Sequence, residues 1–315
     1  RLCFFLARKR AEQSHCRRLD GMGAERYPDL PSVGDADAMI QPSTTYRRAR
    51  LATIALATAA LITLSDAALA QRSDRPALDV PFVPTPPEVV DRMLDMAAVR
   101  ADDFVIDLGS GDGRIAIAAA RRGARALGID IDPERVLEAE GNAIRARVQD
   151  RVRFQRQDLF ATRIGDATVV TMYLLTKVNL DLRPRILEEL KPGTRVVSHS
   201  FDMGGWKPDN HTEVGHRQVF MWIVPAKAAG RWLGQAGSDS LNLDLQQEYQ
   251  YLKGSAQIAG QTVDVREGWM HGTEMHLTLS DGRKLRGRID GSRMHAVPAA
   301  PGDKPAISWH ASRQS

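Results

Sequence analysis

The chain has 315 residues, 43% of them hydrophobic and 26% charged, with a formal net charge of +4; that is room for one large globular domain and a small one. Its basic residues are scattered rather than clustered, so the charge favours a solvated mixed surface over a nucleic-acid partner. Only Cys3 and Cys16 carry thiols, which excludes a disulfide framework, a cysteine zinc site or a catalytic thiol in the folded part, and the eight histidines lack ligand spacing, so no metal is implied.

Residues 1–38 are polar, arginine-rich and without clear periodicity, which reads as a disordered or non-native extension. From Met39 the pattern changes. Arg47, Arg48 and Arg50 precede the apolar run from Leu51 to Leu64, and Ala68-Leu69-Ala70 supplies small residues just before Gln71. Residues 39–70 therefore have a signal-peptide layout, with an apolar core short for a membrane span. An uncleaved anchor and an amphipathic helix are the alternatives. Cleavage would export the protein and leave no stable span, whereas a true start further downstream would leave it cytoplasmic. Gln71 to Pro87 is proline-rich and favours extended backbone. Thr85 followed by Pro86-Pro87-Glu88 then reads as a helix start, with Val89, Val90, Met93 and Leu94 facing a core. A lead-in helix here could cover a ligand pocket.

Phe104-Val-Ile-Asp-Leu108 is a short apolar run suited to a buried parallel strand. Gly109, Gly111 and Gly113 follow at alternate positions, then a helix from Arg114 closed by Gly123. Such a corner lets backbone approach a nucleotide-like ligand. A dinucleotide fingerprint needs G-x-G-x-x-G; here the third glycine comes one position early. Asp107, two residues before Gly109, would repel a pyrophosphate but could hold a cationic amine, as in S-adenosylmethionine. A second strand ends at Asp130, at the distance expected of an acid that binds a ribose diol.

Asp132 and Pro133 open a helix to about Arg147. Val152 to Asp158 alternates like a strand, Ala167 to Tyr173 is a buried one, Leu180 to Leu190 a helix, and Thr194 to Ser198 the next strand. Val214 and Val219 to Val224 suggest a closing hairpin. Alternating strands and helices predict a doubly wound α/β sheet over residues 71–228, with ligands at the carboxyl ends of its strands. Asp107, Asp130, Asp158, Tyr173 and His199 all fall at such ends. Tyr173 is a candidate to line an acceptor pocket, and His199 or Asp202 to accept a proton. Asp112 and Arg114 could cap the helix or pair with each other, while Trp206 and Trp222 read as packing. Residues 229–315 alternate in short glycine-broken segments, with a turn at Asp281-Gly282, and predict a small antiparallel β-meander.

From Val83-Pro-Thr-Pro86, Asp107-Leu-Gly-Ser-Gly-Asp-Gly-Arg114 and Asp130, the region Val83 to Pro225 resembles the class I, seven-β-strand S-adenosylmethionine-dependent methyltransferases. It looks most like the protein-lysine methyltransferases acting on the ATP synthase c subunit and the adenine nucleotide translocase. The resemblance implies that Asp107, Gly109, Ser110 and Gly111 surround the methionine part of the cofactor. Asp130 and Ile131 would take the ribose, Asp158 and Leu159 the adenine, while Thr85 and Pro86 close over it. An Asn-Pro-Pro-Tyr signature is absent, which disfavours nucleic-acid bases as acceptors. Three readings stay open: methylation of a protein lysine or other amine, methylation of a small molecule or lipid, and an exported binding protein that no longer catalyses.

Overall fold

The computed structural model describes residues 82–298 and 308–314; both cysteines, the extension and the expected signal peptide lie outside them. Helix α1 (Pro87–Met96) leads into β1 (Phe104–Leu108), α2 (Arg114–Arg121), β2 (Arg125–Asp130), α3 (Pro133–Ala146), β3 (Val152–Arg156), β4 (Val169–Met172), α4 (Thr176–Glu189), β5 (Arg195–His199), β6 (Asn210–Val214) and β7 (Arg217–Ile223). These strands form one seven-stranded sheet in the order β3-β2-β1-β4-β5-β7-β6. The first five are parallel and β7 runs antiparallel to both its neighbours. The chain moves outward one way from β1 and the other way from β4, so the crevice between their carboxyl ends is the topological switch point.

Side-chain alternation sorts the core into two layers. Val105, Val169 and Val197 face α1, α2 and α3. Ile106, Leu108, Met172 and Val196 face α4, together with Trp206 and Trp222. Both tryptophans are fully buried, in keeping with a packing role. α1 lies against α2 and the β5–β7 part of the sheet, not over the crevice; the extended residues before it do that covering. α4 starts four residues earlier than the sequence predicts and contains Pro184. No side chain caps its start, which removes the usual signal, and burial of Val178, Leu182 and Ile186 on one face outweighs the backbone bond lost at the proline.

The C-terminal part departs furthest from expectation. Strands β8 (Gly230–Ala236), β9 (Asp239–Glu248), β10 (Tyr251–Ile258), β11 (Gln261–His271), β12 (Glu274–Leu279), β13 (Lys284–Asp290), β14 (Arg293–Ala296) and β15 (Trp309–Arg313) do make a meander, with Gly282 in the predicted turn. They close into an eight-stranded barrel because β15 pairs with β8. Its inside is filled by Trp232, Leu243, Met275, Leu277 and Trp309 with their neighbours, as expected of a barrel of this strand number. A Cβ on Gly287 would stand 2.4 Å from the Trp309 ring, so that glycine makes room for the plug.

At the opposite edge of the sheet from the crevice, Arg195 clamps three elements. Its guanidinium pairs with Asp103 and donates to Ala97 O at 2.6 Å. Burial alone would raise the Asp103 carboxyl, but hydrogen bonds from Thr168, the Arg100 N–H and Arg195 outweigh it and hold the group below its ordinary value. Asp103→Ala strands a largely buried guanidinium and should cost about 3 kcal/mol in urea unfolding at pH 7. Because the folded pKa is depressed, the gap between wild type and Asp103→Asn should shrink as pH falls below about 4. A pH-independent gap would show that the charge contributes nothing.

Candidate active site

The carboxyl ends of β1, β2 and β4 open on a cleft of about 960 Å³, counting the space open to solvent. Phe82 to Thr85 forms one rim, Gly109 and Ser110 the floor, Asp130 to Asp132 and Asp158 one wall, and Tyr173, Leu174 and Val178 the other. Gly109 has φ 74°, and a Cβ there would sit 2.8 Å from Leu174 Cδ2. Gly111 has φ 53° and lies directly under the Phe82 ring. The N–H groups of Gly109 and Ser110 both donate to Ile129 O, at 2.9 and 2.8 Å, which ties the glycine turn to β2.

Asp107 lies beneath this floor rather than on it. It stands opposite Thr171 in the β1–β4 ladder, and Thr171 Oγ1 donates to its Oδ1 at 2.7 Å. The residue is 1% exposed, and its Oδ2 is buried without a partner. Burial pushes the carboxyl up; the Thr171 bond pulls it partly back, the charges of Asp130 and Asp112 raise it again, and the result is about 7. Ser110 Oγ, 6% exposed, is also buried and unpartnered. Two unsatisfied buried polar atoms at a glycine cradle are what a hydrogen-bonding ligand would satisfy.

Asp130 is held open to the cleft by two backbone bonds, from Gly111 N to Oδ2 at 2.8 Å and from Asp132 N to Oδ1 at 2.9 Å. Each oxygen retains acceptor capacity. Ile131 beside it is 37% exposed on the same wall. β3 stops at Arg156, so Asp158 belongs to the following turn, where its Oδ1 accepts from Phe160 N at 2.8 Å and Leu159 next to it lines the cleft. Pro86 lies just outside the lining, where its carbonyl accepts from Val89 and Val90 N–H at the start of α1.

The rim is latched twice. Arg114, paired with Asp112 through both carboxylate oxygens, donates from Nη1 to Thr85 O at 2.8 Å. Thr85 Oγ1 lies 3.1 Å from His199 Nδ1. His199 is fully buried, its ring lies 3.8 Å from that of Tyr173, and its Nε2 has no partner. Burial and then the Arg217 charge push it down to about 4, so it is neutral at pH 7. Buried and held below its ordinary value, this imidazole is a weaker proton acceptor than the sequence reading expected, and its Nδ1 faces the rim. Asp202 is exposed, and its Oδ1 accepts from Gly204 N at 3.1 Å, closing a turn outside the cleft lining. Tyr173 does line the cleft, with Phe201 stacked 6.0 Å behind it. Thr171, Phe82 and Arg114 as a latch were not singled out from sequence; only the strand register and the fold of the rim bring them together.

These residues fit S-adenosylmethionine. The cradle is glycine-lined, with the Asp130 carboxylate open to it, Asp107 buried beneath its floor, and apolar walls suited to an adenosine. Among the described residues, no group of histidine, cysteine, aspartate and glutamate could hold a metal ion, and no helix is long and apolar enough to cross a membrane.

Residues 107–210 match the family model of the ANTKMT methyltransferase domain. Over 151 residues the chain is 51% identical to a protein-lysine N-methyltransferase of Saccharolobus islandicus, covering 46% of this chain and 94% of that protein. It is 33% identical to the mouse adenine nucleotide translocase lysine N-methyltransferase over 51% of this chain and 69% of that one. With the mouse lysine N-methyltransferase of the ATP synthase c subunit it shares 32% identity across 50% of its own length and 65% of that protein's. A crystal structure of an RNA methyltransferase from Salinibacter ruber, bound to S-adenosyl-L-homocysteine, is 54% identical over 46% of this chain and 95% of its own, with a TM-score of 0.46. The family model ends before the barrel begins.

Asp107 makes cofactor binding pH-dependent. An ammonium prefers the ionised carboxylate, so the free-state value of about 7 means that binding releases a proton below neutrality. Affinity for S-adenosylhomocysteine, measured by calorimetry, should rise about fivefold from pH 6 to pH 7 and then level off. Asp107→Asn and the amine-free analogue methylthioadenosine should both flatten that slope. An unchanged slope in Asp107→Asn would assign the titration to another group.

Proposed function

This chain belongs to the S-adenosylmethionine-dependent protein-lysine N-methyltransferase family, and on that premise we propose that its methyl acceptor is the side-chain amine of a lysine in another protein. The observation that carries the proposal is the kinship over nearly the whole length of the Saccharolobus islandicus enzyme. The site's chemistry supports it: Tyr173 lines the cleft at the tip of β4 with the Phe201 ring stacked on it, and aromatic faces suit an alkylamine stem and its cationic end.

The bound cofactor supplies a methyl group on a sulfonium, an already activated leaving group. The chain's residues contribute mainly position. Ser110 and the glycine turn would hold the amino-acid end, with the Asp107 carboxyl acting on it from beneath the floor, while Asp130 would hold the ribose and Asp158 would lie on the adenine side. The rim Phe82 to Thr85, latched by Arg114 and His199, would hold the cofactor in place while one side of the cleft stays open to solvent. Orientation of this kind contributes roughly 7–11 kcal/mol to a bimolecular transfer. The acceptor amine must first lose a proton, against a reference pKa of about 10.4. With His199 pushed down to about 4 and sealed behind Tyr173, that proton leaves to solvent through the open side of the cleft.

Labelled methyl incorporation into cell extract, fractionated into protein, lipid, RNA and small molecules, tests the acceptor. Label should appear in protein and be recovered as methyl-lysine after hydrolysis. Recovery in any other fraction would overturn the lysine reading while leaving the transferase intact. If solvent takes the proton, the subsaturating rate should climb about tenfold per unit between pH 7 and pH 9, with the same slope in His199→Gln. Asp130→Ala should weaken cofactor binding by at least about 1 kcal/mol through lost charge-assisted hydrogen bonds.

A further inference from the structure

The barrel is an appendage by sequence, yet one of its turns meets the loop that follows β5, and that loop carries the Phe201 ring stacked on Tyr173 of the cleft wall. β9 and β10 pair as far as Glu248 opposite Tyr251, leaving Tyr249 and Gln250 as a two-residue hairpin loop. Tyr249 has φ 54°. Positive φ at the first loop position alone is the pattern of a type II′ turn, where glycine is the favoured residue. A tyrosine held there is strained, and strain of that kind persists only where the surroundings impose it.

The surroundings are the loop that follows β5. The Tyr249 ring stacks on Trp206 at 6.3 Å and 14°, and Arg183 of α4 lies over it at 5.3 Å. A Cβ on Gly205 would stand 3.5 Å from Tyr249 Cε2, so the loop backbone runs flush against the ring. Gln250, 6% exposed, donates from Nε2 to Lys207 O at 2.8 Å. Gln247 holds the turn itself, donating to Tyr249 O at 2.8 Å and to Ala226 O at 3.0 Å in the segment joining sheet to barrel.

From its other side the same loop is gripped by α4. Asn179, fully buried, donates to Phe201 O at 3.1 Å, and Arg183 donates to Met203 O at 2.7 Å. The loop begins under strain too. Ser200 has φ 64°, and Phe201 N donates to His199 O at 2.8 Å, a tight reversal that aims Phe201 at Tyr173. An unbroken series of contacts thus runs from the cleft wall at Tyr173 through Phe201 and the loop to Trp206 and into the barrel.

We infer that the β9–β10 turn of the barrel braces the acceptor wall of the cleft, with Tyr249 and Gln250 as positioning residues for the loop 200–207. The inference rests on the reading that the acceptor enters beside Tyr173 and Phe201. It gives the barrel a part in the reaction: it sets where the methyl acceptor is held and leaves cofactor binding alone, since neither residue lines the cofactor cleft.

The test uses the full chain with Tyr249→Ala, Tyr249→Phe and Gln250→Ala. Amide hydrogen exchange over 201–207 should speed up by about tenfold or more in Tyr249→Ala, as expected when a local closed state loses its brace. Tyr249→Phe, which keeps the ring against Trp206 and Arg183, should restore it. Affinity for S-adenosylhomocysteine should stay within about twofold throughout, as for an independent site, which also reports that the variants fold. With cell-extract protein as the acceptor, the half-saturating amount should rise roughly fivefold in Tyr249→Ala as orientation is lost. Unchanged exchange in Tyr249→Ala, or cofactor affinity falling in step with the loss of rate, would overturn the inference. Absence of transfer to protein by the wild-type chain would overturn the lysine reading instead, and the exchange result would still decide the brace.

Discussion

A carboxyl group buried beneath a glycine turn governs this molecule's chemistry. Asp107 sits on β1, the middle one of the five parallel strands, opposite Thr171, with one oxygen satisfied and one not. Moving its pKa from 3.8 to about 7 corresponds to roughly 4 kcal/mol of preference for the protonated form. The sign matters. The folded value is raised, so the penalty is absent below the unfolded value and grows as pH rises through the folded one. At neutral pH the carboxyl lies close to its own titration point, a cost that a nearby cation or hydrogen-bond donor relieves. A nearby anion would deepen the penalty.

The closing rim follows from that constraint. The cleft above Asp107 and beside Asp130 has an open face, and residues 82–85 form its rim. Their latches draw on different elements: Arg114 begins α2, and His199 ends β5. His199 is informative because burial weakens it as a base while its Nδ1 meets the rim. A neutral imidazole can meet the Thr85 hydroxyl in a dry site, whereas an imidazolium would leave a charge to be compensated. Tyr173 seals the ring from the cleft, so the acceptor pocket and the rim latch share one aromatic wall.

Much of this was legible in the sequence, and the physical reasons are local. Buried parallel strands read as apolar runs, so β1, β4 and β5 declared themselves. Asp132-Pro133 announced α3, and Asp132 does accept from Glu134 N at its start. The glycine turn and Asp130 are separated by a fixed geometric unit, which is why their pairing was readable without coordinates. What was hidden depends on contacts distant in the chain. Thr171 reaches Asp107 through strand register across 64 positions, and no periodicity encodes register between parallel strands. The barrel's closure depends on β15 meeting β8, so alternation alone revealed a meander and not its seam. The direction of the Asp107 side chain was equally hidden. Alternation along β1 turns it toward α2 with Val105, not upward into the cleft.

A closed barrel also explains why the appendage can act as a brace. An isolated hairpin is marginally stable in water and would transmit little force. A barrel has no free edge and a filled interior, so a turn at its end is held by the whole cylinder. Arg313 near the C-terminus covers the Trp232 ring at 4.3 Å and donates to the carbonyls of Lys227 and Ala229. The last strand therefore locks the segment that joins barrel to sheet. On the far side of that segment Ala226 N donates to Gly272 O at 2.7 Å and Gly193 N to Val224 O at 2.8 Å. With the joint fixed at both ends, the β9–β10 turn cannot drift from the loop it touches. A strained tyrosine at its tip then becomes intelligible: the barrel supplies the rigidity, and the ring applies it at the acceptor wall.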